Sequence, residues 1–341
     1  MTSAAQRPIE LGASLGLAPR STVLVTGAAG FIGSHLAERL ADAGHDVVGV
    51  DCFTDYYARS LKEANLLRLR DMPNFRLLEL DLSEDDLGGL LEGVDAVFHL
   101  AAQAGVRGSF GEGFETYLRH NLCATQRLLE LAIGHPLSAF VYSSSSSVYG
   151  NPERFPMSEQ TPLRPVSPYG MTKLATEALA GTYHRCFGLP VVGLRYFTAY
   201  GPRQRPDMAF TRFIRAILDD EPLTILGDGS QVRDFTYVDD IVEGTIAAAQ
   251  RGRFGAVYNI GGGQSVQLLA AIATIERVAG RTAHLDIAPA QRGDAYRTGC
   301  DCELALRELG YAPRTTLEDG LAAQLEWVVR SRRPDLLTES A

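Results

Sequence analysis

Short continuous apolar runs recur along this 341-residue chain, separated by stretches with helical spacing. Ser21 to Thr26, Asp46 to Asp51, Phe75 to Leu80, Val94 to Leu100, Ala139 to Ser143 and Val191 to Tyr196 read as strands. Between them lie His35 to Ala43 (Leu36 and Leu40 on one stripe), Ser60 to Leu69, a stretch from Ser83, Phe114 to Ile133 and Pro168 to Phe187, all read as helices. A half-exposed strand alternates apolar and polar residues; these runs do not, so both their faces are covered. Strands and helices in this alternation predict an α/β fold, a Rossmann-type doubly wound parallel sheet. Ligands in such folds sit beyond the C-terminal strand ends. Asp51, Asp81, Ala101 to Gln103, Ser143 to Ser147 and Tyr196 all fall there.

From Thr198 the pattern changes. A loop, Gly201 to Pro206, precedes a helix at Phe210 to Leu218 and a strand at Leu223 to Leu226, closed by the Gly227-Asp228-Gly229 turn. The helix after Tyr237-Val238-Asp239-Asp240 is expected to return to the first domain, and the remainder from Gly261 reads as a small α/β lobe. The expected division is a flexible tail at 1–20, a dinucleotide-binding domain of 21–197 plus about 235–260, and a smaller C-terminal α/β substrate lobe of 198–234 plus 261–335.

Composition narrows the class. At 45% hydrophobic residues the chain can bury a sizeable core. Lys plus Arg number 32 against 41 Asp plus Glu, and a net charge of −9 gives no footprint for nucleic acid or an anionic membrane surface. No run approaches the roughly 18 apolar residues of a membrane span, and Met1 to Arg20 lacks the pattern of a secretory signal. The cysteines, Cys52, Cys123, Cys186, Cys300 and Cys302, are odd in number and irregularly spaced. That spacing suits neither a disulfide framework nor a metal site, so reduced thiols in the cytoplasm and no metal are expected.

The first strand runs directly into Gly27-Ala28-Ala29-Gly30-Phe31-Ile32-Gly33 and then a helix. Glycines there permit a tight turn and let backbone approach a pyrophosphate, which meets the helix N-terminus where free amides and the dipole favour negative charge. Asp51 ends the second strand 18 residues after Gly33, placed to accept hydrogen bonds from ribose hydroxyls. A carboxylate repels a 2′-phosphate, so the pattern predicts NAD rather than NADP.

The second chemical pattern is Tyr169-Gly170-Met171-Thr172-Lys173. On a helix, Tyr169 and Lys173 project from one face. A free phenol ionises near pH ~10. A neighbouring ammonium favours the phenolate, and so predicts a lowered Tyr169 pKa and a usable general base. The five serines Ser143 to Ser147 end the adjacent strand, and one of their hydroxyls could share the same substrate proton.

Gly27-x-x-Gly30-x-x-Gly33, the serine run before Val148-Tyr149-Gly150, Tyr169-x-x-x-Lys173, Arg195-Tyr196-Phe197 and Arg233-Asp234-Phe235 together resemble the extended short-chain dehydrogenase/reductase family, over about residues 22 to 330. The resemblance implies an NAD-dependent enzyme acting on nucleotide-diphosphate sugars by oxidation at C4: a 4-epimerase, 4,6-dehydratase or uronate decarboxylase. Dehydratases typically carry an Asp-Glu pair just before Val148, and decarboxylases a glutamate. Here Ser146 and Ser147 stand there, so simple epimerisation is favoured. Asp55-Tyr56-Tyr57 through Leu61-Lys62, and Arg195 to Pro202 with Arg205-Pro206-Asp207-Met208, resemble the branch that converts UDP-glucuronate to UDP-galacturonate. UDP-glucose epimerases usually carry Asn where Thr198 stands.

By the same resemblance, Ser145, Tyr169 and Lys173 are catalytic, with Ser144 or Ser146 taking the serine's place in another loop register. Cofactor contacts are implied for Gly27, Gly30, Phe31, Ile32, Gly33, Asp51, Lys62, Asp81, Leu82, Leu100, Ala101, Ala102, Gln103 and Tyr196, besides Tyr169 and Lys173. Substrate contacts are implied for Arg107, Ser145, Ser146, Ser147, Thr198, Arg205, Thr224, Arg233, Arg292 and Asp294. Ser146, Ser147 and Thr198 hydroxyls could hold a C6 carboxylate, each bond worth roughly 1.5–3 kcal/mol. Arg233 and Arg292 suit a diphosphate and Asp294 a ribose hydroxyl, although the arginine often found three before that acid is Gln291 here. A homodimer through the Phe114–Ile133 and Pro168–Phe187 helices is also implied. Competing readings are a UDP-glucose/UDP-galactose 4-epimerase, then a UDP-glucuronate decarboxylase, and outside enzymes an NAD or nucleotide-sugar sensor, for which a proton relay has no use.

Overall fold

The computed structural model describes residues 17–289 and 295–332. Among them the strands are, in chain order, β1 Thr22–Thr26, β2 Asp46–Asp51, β3 Phe75–Glu79, β4 Ala96–His99, β5 Ala139–Ser145, β6 Val191–Tyr196, β7 Thr198–Tyr200, β8 Pro222–Leu226, β9 Val232–Tyr237, β10 Val257–Ile260, β11 Ser265–Gln267 and β12 His284–Ala288. Seven form one all-parallel sheet in the order β10-β6-β5-β4-β1-β2-β3. The order reverses between β1 and β4, which opens a crevice at their C-terminal ends. Both faces are covered: Val23 and Val25 of β1 pack into one core cluster and Leu24 into another.

Two small sheets, β11-β9-β7 and β12-β8, accompany the main one. Phe210, Phe213 and Ile214 of the Ala209–Asp219 helix pack there against Ile272 and Ile275 of the Leu268–Ala279 helix. Among the described residues no helix is long and apolar enough to cross a membrane.

The Pro168–Phe187 helix begins and ends where the sequence predicts. Ser167 accepts a hydrogen bond from Gly170 N at 3.1 Å, Pro168 opens the first turn, and Gly188 closes the helix in the left-handed region at φ 73°. Three other predicted helices differ. The stretch from Ser83 forms turns instead, because Gly89 and Gly93 adopt φ of 74° and 71° and the Asp86 carboxylate accepts from Gly88 N. The helix around 60–69 breaks into Arg59–Ala64 and Leu67–Arg70, with the Asn65 amide drawn onto Ala29 O at 3.0 Å. The long helix at 114–133 carries a π-helical turn, Leu118–Cys123, at its centre.

Candidate active site

One cleft runs along the C-terminal ends of the main sheet. At one end the β1–helix turn faces it with Gly30, Phe31, Ile32 and Gly33. Gly27 needs φ 71°, and a Cβ on Gly33 would lie 2.0 Å from Gly27 O, so only glycine lets the helix start this close to the strand. Gly30 caps that helix with no side-chain bond, which leaves the first-turn amides to an anion. Asp51 is fixed by two backbone amides, Ala29 N on Oδ2 at 3.1 Å and Phe53 N on Oδ1 at 2.9 Å. Buried Lys62 stands 3.7 Å from Asp51 and donates to Thr54. Asp81, Leu82, Leu100, Ala101, Ala102 and Gln103 continue the wall. A glycine cradle at a helix start, an anchored carboxylate at the next strand end and a long apolar wall fit NAD. Among the described residues, Cys52, Asp81 and His120 offer three ligand atoms within 4.8 Å of one another, on this same wall. One Asp81 oxygen already accepts from Ser83 N and Oγ.

At the other end β5 delivers the serines beside the helix that carries Tyr169 and Lys173. The Ser145 hydroxyl stands near enough to the Tyr169 phenol to pull its pKa down, and both residues line the cleft. Ser144 turns away into the core and donates to Glu177 Oε1, so the register brings Ser145, not Ser144, to the phenol. Ser146, Ser147, Thr198, Arg205, Tyr56 and Tyr57 line the cleft around Tyr169. Tyr196 lines it as well, but its hydroxyl bonds Thr245 Oγ1 at 2.7 Å, behind the sheet.

The expected electrostatics of the pair need correcting. Burial pushes the Tyr169 phenol above its usual range, and the Ser145 hydroxyl and the Arg205 charge, which both pull it down, do not outweigh burial. Lys173 exerts no resolved pull. Its ammonium is hooked onto Ser143, at 3.0 Å to the backbone oxygen and 3.3 Å to Oγ. Burial lowers Lys173 itself to about 8, against a smaller upward pull from Glu177.

Not every predicted residue meets the cleft. Arg107 sits on the 3-10 turn Arg107–Ser109, outside the cleft walls. Thr224 lies in β8 opposite Asp286 of β12, and Arg233 donates to Val232 O and Tyr296 O; neither lines the cleft. Arg292 and Asp294, with Gln291, lie outside the described residues.

Two residues of this site were missed in the sequence. Glu177 follows Lys173 by four, so Tyr169, Lys173 and Glu177 share one helix stripe; an acid on a buried stripe was the available signal. Asn121 sits in the π-helical turn and joins the Gln103 backbone (2.7 and 3.1 Å) to Thr172 Oγ1 (3.0 Å) of the Tyr169 helix. No sequence signal marks a π turn.

The model of the NAD dependent epimerase/dehydratase family matches residues 23–261. A Bacillus subtilis (strain 168) protein described as an uncharacterised UDP-glucose epimerase is 47% identical over 308 residues, 90% of this chain and 97% of that protein. The UDP-glucuronate 4-epimerase of Thermodesulfobacterium geofontis (strain OPF15) is 38% identical over 309 residues, 89% of this chain and 95% of its own length. The crystal structure of UDP-glucuronic acid 4-epimerase from Bacillus cereus, in complex with UDP-glucuronic acid and NAD, superposes with a TM-score of 0.89 at 43% identity, covering 91% of this chain and 99% of that one.

Proposed function

The chain belongs to the NAD dependent epimerase/dehydratase family, and from that premise we propose that it inverts C4 of a UDP-sugar, UDP-glucuronate to UDP-galacturonate. The observation that carries this reading is the joining, in one cleft, of the Ser145–Tyr169 pair with the Ser146, Ser147, Thr198 and Arg205 side chains. The pair suits proton removal from a sugar hydroxyl; the surrounding hydroxyls and guanidinium suit a carboxylate two carbons away.

NAD, when bound, supplies the acceptor and then the donor of the C4 hydride. The residues that would hold it are the Gly27–Gly33 turn for the diphosphate, Asp51 for the adenosine ribose and Lys173 for the nicotinamide ribose. With NAD bound to accept the C4 hydride, Tyr169 as its phenolate would take the O4 proton while Ser145 holds O4, leaving a 4-keto sugar. That sugar turns about its diphosphate link, Tyr169 returns the proton, and the configuration at C4 is inverted. Arg233 is assigned to the nucleotide, as are Arg292 and Asp294 by the family resemblance.

With a uronate, the 4-keto intermediate is a β-keto acid. It loses carbon dioxide when the bond to its carboxylate aligns with the carbonyl π system. Thr198, Ser146, Ser147 and Arg205 are assigned to hold the carboxylate out of that alignment. Thr198→Ala is therefore expected to raise the fraction of decarboxylated pentose product. An unchanged product ratio, read by NMR, removes Thr198 from the clamp.

A second reading, 4-epimerisation of UDP-glucose and UDP-galactose, draws support from the Bacillus subtilis relative. Separate incubations with UDP-glucuronate and UDP-glucose, with products identified by NMR, decide between them. Faster turnover of the uronate is expected; turnover of UDP-glucose alone would make the second reading correct. We also propose a homodimer, supported by exposed Leu118, Met171 and Phe187 on the helical segments around the active site, and residence in a reducing compartment, which suits the free cysteines.

A further inference from the structure

Arg205 does not enter the cleft alone. It is gripped by the residue two places on: Nε donates to Asp207 Oδ1 and Nη2 to Oδ2, both at 2.9 Å. The guanidinium lies over the Tyr56 ring, with Cζ 5.7 Å from the centroid, and the Tyr56 hydroxyl donates to Asp207 Oδ2 at 3.3 Å. Tyr56 reaches this position beside Gly105, whose φ is 107° and where a Cβ would lie 2.6 Å from the phenol oxygen. Three loops, around 56, 105 and 205, thus meet at one guanidinium.

The two charges are not equally placed. The Arg205 side chain is 18% exposed and lines the cleft, whereas the Asp207 side chain is 40% exposed and does not. The carboxylate therefore backs the guanidinium from the solvent side. A bidentate fork fixes the plane of an arginine as well as neutralising it. With Nε and one Nη2 hydrogen committed to Asp207, the Nη1 hydrogens and the other Nη2 hydrogen are the donors left to address a ligand.

We propose that Asp207 is a specificity-determining residue. It orients Arg205 and, by offsetting its charge, sets how strongly the site prefers an anionic C6 group over a neutral hydroxymethyl. The proposal rests on the uronate reading above and adds the residue that tunes it. A lone guanidinium would bind any carboxylate strongly and hold it whatever its geometry. One backed by Asp207 presents a directed donor with a reduced net field, and discriminates by orientation.

The test compares Asp207→Asn, Asp207→Glu and the parent holoenzyme, each with UDP-glucuronate and UDP-glucose, by calorimetric Kd and by kcat/KM. Asp207→Asn keeps the shape and one acceptor but removes the charge. It is expected to tighten UDP-glucuronate binding by about tenfold relative to UDP-glucose, whose Kd stays near the parent value. Asp207→Glu restores the charge and should return the ratio toward the parent. Equal shifts for both sugars, or an unmoved ratio, overturn the assignment. Should Asp207→Asn fail to retain NAD and a cooperative melt, Asp207→Ser serves as the neutral variant. Failure of both marks Asp207 as structural and ends the proposal. A parent enzyme that does not bind UDP-glucuronate sinks the uronate reading first; a parent that binds it, with the ratio unmoved in Asp207→Asn, sinks only Asp207.

Discussion

Replacing Tyr169 by Phe is expected to lower turnover by about two to four orders of magnitude, the range that positioned proton transfer supplies. The ring remains: Tyr117 still meets it edge to face at a centroid distance of 6.1 Å, and the helix start is still held by Ser109 Oγ on Tyr169 N at 3.1 Å. Only the hydroxyl that Ser145 acts on disappears. NAD content and thermal melting should therefore match the parent, while product formation collapses. The upward push of burial on the phenol sharpens the expectation, because a phenol that is hard to ionise depends on every group that stabilises its anion. Ser145 and Arg205 are the two such groups that act on it. Ser145→Ala should therefore lose part of the same activity. If Tyr169→Phe turns over its UDP-sugar at the parent rate, the mechanism is wrong whatever the rest of the cleft does.

What the sequence made legible was whatever local chemistry fixes. The Pro168–Phe187 helix carries its start and stop in three residues, Ser167, Pro168 and Gly188, none of which needs tertiary support. The glycine turn and Asp51 lie one strand apart, and the parallel pairing of β1 with β2 brings them together. Legibility failed where long-range contacts decide. β10 is four residues long and becomes a strand by pairing with β6 at the sheet edge. The π-helical turn exists because Asn121 bonds Gln103 and Thr172, 18 and 51 residues away. The Tyr169 shift runs against the expectation because Lys173, though on the same helix face, is hooked onto Ser143 of a different element, and burial raises the phenol. The predicted helix from Ser83 shows the converse failure. Its leucines, Leu87, Leu90 and Leu91, are buried, yet the glycines among them impose turns.

Glu177→Ala is expected to have the largest effect on stability, a loss of about 3–5 kcal/mol. The Glu177 carboxylate and the Arg195 guanidinium are buried side by side, 7% and 6% exposed, joined by Nε to Oε1 at 2.9 Å and Nη2 to Oε2 at 2.7 Å. Arg195 Nη1 continues to the Tyr149 hydroxyl at 2.8 Å, which donates to Asn259 on β10 at 2.6 Å. Deleting the carboxylate strands a buried cation, leaves the Ser144 hydroxyl without its acceptor, and loosens a chain of bonds that spans three strands of the sheet. Urea unfolding measures the loss; a change below about 1 kcal/mol would mean that water or another acid replaces the carboxylate, and would discard this account. The cost belongs to the unpaired charge rather than to the pair. Removing both partners, as in Glu177→Met with Arg195→Met, should therefore recover most of the stability. Activity should not recover with it. Ser144 precedes Ser145, the serine proposed to bind O4, and Glu177 is the charge that supports the Lys173 ammonium, so the double variant separates what the ion pair does for the fold from what it does for the active site.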